Sequence, residues 1–295
     1  MRRLIVLVLF ALTVALPSVQ VMAQLPTPTP TPTKPMPTPT PTKPTPAPTP
    51  TPVPFLGGTP APHLTGDLAM QTYSLDLYRR KGGLTAATVQ GLAMPAEESL
   101  QQSGALIGGS LAGRVALSFE PPQTGPCAIR GLTFSDQRMI RLFYAPGTDP
   151  SRVGRILTHE LFHQLQHDYY GARDHLKAEN ILLEGMAVWG TASYFRTADG
   201  ELQYRANVRA ALQAGTLLPL TTSLDQDCRT TTRNVIYDEW GSFVEYLIVT
   251  YGRPRFDAVY RSSRGRTAGL AGYQGVYGKP LAQLEREWRG WAAGQ

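Results

Sequence analysis

The sequence predicts an α+β protein: a small mixed or antiparallel sheet lobe, then a mainly helical lobe, with a helix between them that carries the candidate chemistry. Three observations predict it. Strand-like stretches are confined to residues 71–144, and helical periodicity dominates from residue 151 onward. Between the two lies 151–167 (SRVGRILTHELFHQLQH), where Val153, Ile156, Leu157, Leu161 and Leu165 recur at helical spacing.

Taken in order, residues 1–23 read as a secretory signal peptide. Arg2 and Arg3 precede an apolar core over 4–16, and Val21-Met22-Ala23 offers a small-residue cleavage site. The apolar core is shorter than the roughly 20 residues a spanning helix needs. Export to the medium or the cell surface is therefore expected, with an uncleaved signal anchor as the alternative. Residues 24–62 are a Thr/Pro-rich linker, and 24–54 hold 14 of the 26 prolines. Proline fixes φ and removes backbone donors, so this segment is expected to be extended and to span about 90 Å at about 3.1 Å per residue. It serves either as a plain spacer or as a stalk associating with a cell wall or membrane surface.

The remaining residues, 63–295, are enough for one sizeable core. Strands are expected over 71–78, 114–119, 131–134 and 139–144, and a helix over 85–107 that Gly91 and Pro95 break in two. The 139–144 strand immediately precedes the 151–167 helix. It is either a core strand or an edge to which a substrate main chain adds. Asp149-Pro150-Ser151 suits that helix start. Beyond it come a loop over 167–175, helices over 176–195 and 201–214, a polar loop over 221–232, a helix over 236–251 ended by Gly252, and a last helix over 281–292.

Charge narrows the partners. The net charge of +6 overstates the globular part: four of the 28 basic residues precede residue 64, where there is no Asp or Glu, leaving 24 basic against 22 acidic residues. That balance argues against nucleic-acid binding. The arginine-rich run 252–266, with Asp257 as its one acid, reads as a solvated face rather than a contact for an acidic polymer. Cys127 and Cys228 are an even pair in an exported chain and read as one disulfide closing a loop around the candidate site, with two unpaired buried thiols as the alternative.

His159-Glu160-Leu161-Phe162-His163 carries the chemistry. On a helix the two histidines are about 6 Å apart along the axis and about 40° apart around it, so their imidazoles can converge on one ion. Imidazole is a favoured zinc ligand, and Glu160 stands beside the pair, near enough to work on an attacking water without binding the ion. A catalytic zinc takes three protein ligands. Candidates downstream are His167, Asp168, Asp174, His175, Glu179 and Glu184. His167 is a further turn along, about 12 Å from His159, and cannot share that ion with both histidines. Glu184, within the next helix, is the best placed.

H-E-x-x-H followed by Glu184-Gly185-Met186-Ala187 resembles the gluzincin metallopeptidases, most closely the peptidase MA-like domains. Tyr237 with the stretches 241–247 and 251–252 is similar to that group, as is 284–291 (LEREWRGW). The resemblance implies a zincin-like fold, one Zn2+ held by His159, His163 and Glu184, Glu160 as general base, and Tyr237 as an oxyanion donor. The chain departs from the family where Ile181, Leu182 and Leu183 stand in place of a tryptophan before the E-G pair. It also lacks the G-x-M-E-N motif that holds a free amino terminus, which argues against an aminopeptidase. The function expected is an exported, monomeric zinc endopeptidase acting on peptides or proteins. The alternatives are a catalytically silent, stalked surface-binding module of the same fold and a zinc hydrolase of a non-peptide amide.

Overall fold

The structure, a computed structural model, describes residues 66–224 and 227–295. The leader expected over 1–23 and the linker over 24–62, with any surface association through it, lie outside the described residues.

Among the described residues, five strands form one sheet: β1 (Asp67–Gln71), β2 (Leu75–Arg79), β3 (Val115–Glu120), β4 (Gly131–Phe134) and β5 (Met139–Phe143). Their spatial order is β1, β2, β3, β5, β4, with the middle three parallel and the two edges antiparallel. All six residues of β3 are buried, as a central strand covered on both faces requires. The strand expected over 71–78 is in fact the end of β1, a bend at 72–74 and most of β2. Glu97 holds that bend by accepting hydrogen bonds from the Ser74 amide and the Thr72 hydroxyl.

The edge strand beside the candidate helix is β4, and not the 139–144 stretch considered for that role. β5 lies inside the sheet because the chain turns back through a short 3-10 turn, Ser135–Gln137, and Arg138, whose φ of 50° is left-handed. The Arg138 guanidinium makes paired bonds of 2.9 and 3.0 Å to Asp168, fastening this hairpin to the candidate helix. The arginine and the Ala112 amide outweigh burial and hold the Asp168 carboxyl below its usual range.

The connection from β2 to β3 is one helix, α1 (Ala86–Ile107), capped by the Thr85 hydroxyl and unbroken at Gly91 and Pro95. Both residues are exposed, so the carbonyl that Pro95 leaves unpaired faces water. Val89, Leu92, Ala93, Ala96 and Leu100 are buried along the helix, which packs against α2 (Pro150–Tyr170).

Asp149 caps α2 at 2.9 Å through the Ser151 amide, and Pro150 occupies the first turn. The helix runs to Gly171 (φ 84°), so the loop expected over 167–175 is its last turn plus α3 (Ala172–Lys177). The helix expected from 176 starts later, as α4 (Asn180–Gly190). Fully buried Glu179 fixes that junction, accepting from the Ala271 amide and the Tyr273 hydroxyl. After α5 (Gln203–Ala214) comes α6 (Thr230–Tyr251), whose first turns take in the end of the expected 221–232 loop. Then follow α7 (Arg253–Arg261), α8 (Tyr273–Tyr277) and α9 (Leu281–Ala292), with Leu284 and Trp288 fully buried.

The arginine-rich run is more than a solvated face. Phe256, Val259 and Tyr260 of α7 are fully buried. Arg253 pairs with Asp257 at 2.7 Å and bonds the Leu106 and Ile107 carbonyls, which end α1. Arg261 lies over the rings of Tyr169 and Tyr170 at the end of α2. Among the described residues no helix is long and apolar enough to cross a membrane.

Cys127, before β4, is bonded to Cys228, before α6, with Cα atoms 5.2 Å apart. The pairing read from the sequence is present and ties the sheet side to the helical side. Helix α2 packs between them, against β4 and β5 and against α4, which in turn packs along α6. Glycine makes the α4–α6 approach close. A Cβ on Gly185 would stand 2.5 Å from the Trp240 carbonyl oxygen, and one on Gly241 2.5 Å from a Val188 methyl. Gly185→Ala is therefore expected to cost about 1–3 kcal/mol through overpacking, read as a lower urea midpoint; an unchanged midpoint would show that the helices have room.

Candidate metal centre

Ten consecutive residues of α2, from Leu157 to Gln166, are buried, so this part of the helix meets solvent only where His159, Glu160 and His163 reach a cleft. Five of them are His159, Glu160, His163, Gln164 and Gln166. Burying a polar side chain without a partner costs about 1–3 kcal/mol, so their partners define the site.

Three of the residues singled out in the sequence meet here. His159 Nε2 is 3.2 Å from His163 Nε2, Glu184 Oε2 is 3.3 Å from His159 Nε2, and it is 3.2 Å from His163 Nε2. The three ligand atoms thus form a nearly equilateral triangle able to hold a metal ion. The histidines come from successive turns of α2, and Glu184 comes from the first half of α4. Gly190, farther along α4, has no room for a side chain, since a Cβ would stand 2.2 Å from the Phe162 ring of α2.

The electrostatics suit a cation. Burial opposes charge on both partners, yet the Glu184 carboxylate outweighs it and pushes His163 up to about 9. The two imidazoles in turn hold Glu184 well below the usual carboxylate range.

His163 is oriented by a residue that the sequence reading passed over. Its Nδ1 lies 2.8 Å from Gln166 Oε1, and Gln166 Nε2 donates to the Leu183 carbonyl at 2.9 Å. An amide oxygen can only accept, so Nδ1 carries a hydrogen and Nε2 is the nitrogen left facing the centre. Gln166 has no exposed surface and also joins α2 to the residue before Glu184. Its signal in the sequence was its place one helical turn after His163.

Glu160 lies against β4. The Thr133 hydroxyl donates to Glu160 Oε2 at 2.7 Å and stands 3.0 Å from the Glu160 carbonyl oxygen. Gly131 gives the carboxylate its space, for a Cβ there would stand 2.3 Å from Oε1. Neither Thr133 nor Gly131 carried a signal in the sequence, because both reach the site through strand pairing.

Tyr237, from α6, stacks on His159 with ring centroids 6.1 Å apart and an interplanar angle of 19°. Burial first, then the charges of Glu184 and Glu160, raises its phenol well above the ordinary value, so the hydroxyl keeps its proton and is a donor. His167 is turned elsewhere, with Nε2 3.0 Å from Asp136 and Nδ1 3.1 Å from Asp168. His175 lies between the Ser135 and Tyr260 hydroxyls, and burial keeps it neutral by lowering its pKa to about 2.

The triad, Glu160 and Tyr237 line one open cleft of about 960 Å³, bounded by residues 128–137, the first half of α2, and α4 and α6. Searches against protein-family models and against the curated proteins return no match to this chain.

Replacing Gln166 by Met keeps its bulk and removes both bonds. Metal affinity is expected to fall about 10–100-fold, measured by competition with a chromogenic chelator; unchanged affinity would show that His163 needs no such support.

Proposed function

We propose that the chain is a zinc-dependent peptide hydrolase of the zincin type, similar in its site to the gluzincins. The convergence of two imidazole nitrogens and one carboxylate oxygen beside a separate, buried glutamate carries the reading. Ligands about 2.0–2.1 Å from a tetrahedral ion lie about 3.3–3.4 Å from one another. The observed edges of 3.2–3.3 Å match that size. A calcium site would want six to eight oxygens at longer range. Here His159, His163 and Glu184 would hold zinc, and the cleft beside them gives room for water and substrate.

When bound, zinc supplies a Lewis acid that acidifies water and polarises a carbonyl. The chain's own residues supply the rest. Thr133 occupies Glu160 Oε2, which leaves Oε1 to take the proton from the attacking water and pass it to the leaving amine. The Tyr237 hydroxyl, protonated at neutral pH, donates to the developing oxyanion. The exposed edge of β4, with Leu132 40% exposed, offers main-chain groups to an extended substrate one strand away from Glu160. Export of the chain fits the disulfide, which forms and persists in oxidising compartments.

The test is cleavage of casein by the purified chain, with and without chelator, alongside Glu160→Gln. Chelator is expected to abolish cleavage and zinc to restore it. The variant should lose at least about 100-fold in rate while keeping its circular dichroism spectrum. Cleavage that persists in Glu160→Gln would remove the base from this mechanism.

A further inference from the structure

The described chain is nearly balanced in charge, but the cleft is not. Five arginines line it: Arg130, Arg152, Arg155, Arg233 and Arg266. Arg233 bonds the Ala128 and Cys228 carbonyls, and Arg266 bonds the Ala178 carbonyl. Arg130, Arg152 and Arg155 are exposed, and their guanidiniums make no hydrogen bond or ion pair among the described residues, although the Asp149 carboxylate at the start of α2 feels the charge of Arg155. The carboxylates in the cleft are engaged elsewhere. Asp136 faces His167, Asp238 accepts from Asn207 at 2.6 Å, Glu160 accepts from Thr133, and Glu184 faces the two histidines.

These three arginines share one end of the cleft. Arg130 immediately precedes β4, while Arg152 and Arg155 precede His159 by two turns and one turn on α2. Near Arg130 and Arg152 lies Tyr144, a residue of the cleft wall only 3% exposed, whose buried hydroxyl has no hydrogen-bond partner among the described residues. Burial, against the opposing fields of Arg130 and Arg152 and with a smaller push from the Glu160 carboxylate, raises this phenol to about 12, so its hydroxyl is a donor. A buried donor left without an acceptor costs free energy, and the three cations repel one another, with only Arg155 partly offset by Asp149. Both are relieved by one anion that accepts from the phenol and faces the guanidiniums.

We propose that this end of the cleft is a specificity subsite for a carboxylate of the substrate, held by Arg130, Arg152, Arg155 and the Tyr144 hydroxyl. The inference rests on the peptide-hydrolase reading above and names its substrate class: peptides acidic on one side of the scissile bond. Arg155 and Arg152 stand about 6 and 10 Å from His159 along the helix axis. An extended chain rises about 3.3 Å per residue, so the recognised carboxylate lies about two or three residues from the bond cut. It belongs either to an Asp or Glu side chain or to a free C-terminus.

The test uses the full chain with matched peptides in which Glu and Gln alternate at each position around one cleavable bond, each made with a free and an amidated C-terminus. A Glu two or three residues to one side is expected to raise kcat/KM at least tenfold over Gln. A loss of rate on amidation alone would assign the carboxylate to the C-terminus. Arg152→Glu with Arg155→Glu should erase the preference and favour a Lys-containing peptide, while neutral peptides are still cut. Tyr144→Phe should weaken the preference without reversing it. Binding of the Glu peptide to Glu160→Gln, followed by fluorescence anisotropy, reads the subsite without turnover. It should fall at least tenfold in the added arginine double variant and weaken with salt. Equal handling of Glu and Gln peptides in both assays, or a preference that survives the double variant, would overturn the proposal. Absence of cleavage with intact, arginine-dependent binding would overturn the hydrolase reading and leave the anion subsite standing.

Discussion

The burial of ten consecutive residues in the middle of α2 is the constraint to which the rest of this structure answers. A helix with one wet face can carry histidine and glutamate at no cost. This one cannot, because Leu157 to Gln166 are enclosed by α1, the sheet edge and α4. Several polar groups on this stretch draw a neighbour toward them, while Thr158 bonds the Gly154 carbonyl of its own helix and Gln164 Oε1 has no partner among the described residues. Glu184 comes from α4, Thr133 from β4, and Gln166 closes back on the Leu183 carbonyl. The same contacts that satisfy the buried polar atoms aim two imidazoles and a carboxylate at one point. Stability and the geometry of the site are in this way two results of one arrangement.

Close approach of the surrounding elements depends on absent side chains. Gly131 leaves the space in which Glu160 lies, Gly190 receives the Phe162 ring, and Gly185 and Gly241 let α4 and α6 pack with backbone near backbone. Tyr237 reaches His159 from α6 because that helix is held so near α4. The disulfide between Cys127 and Cys228 joins the loop before β4 to the segment before α6, on the two sides of the cleft. In the chain-entropy account, a bond closing a loop of about a hundred residues stabilises the fold by about 4–5 kcal/mol.

Local features of this architecture were legible in the sequence, and those set by distant contacts were not. His159, Glu160 and His163 follow from helical spacing alone, and the Asp149 cap and the strand at 131–134 follow from local chemistry. The bend at 72–74 was missed because no glycine or proline marks it; its cause is Glu97, 23 residues from Ser74 in the chain. Pro95 suggested a break in α1, but packing along the buried face carries the helix through it. Which strand lies at the sheet edge depends on how the β4–β5 hairpin folds back, and alternation does not encode that. Gln166, Thr133 and Tyr144 belong to the site by position in space, and only Gln166 sits at a spacing that tied it to a histidine. The mixed α+β class was legible; the zincin type is an inference from the site.

The central claim is that His159, His163 and Glu184 hold one zinc ion. Elemental analysis of the purified chain, dialysed against dilute zinc and then buffer, tests it most directly when His163→Ala and Glu184→Ala are measured beside it. The account predicts close to one zinc per chain in the parent and a loss in both variants while each remains folded. A folded parent without zinc, or variants that keep it, would contradict the claim.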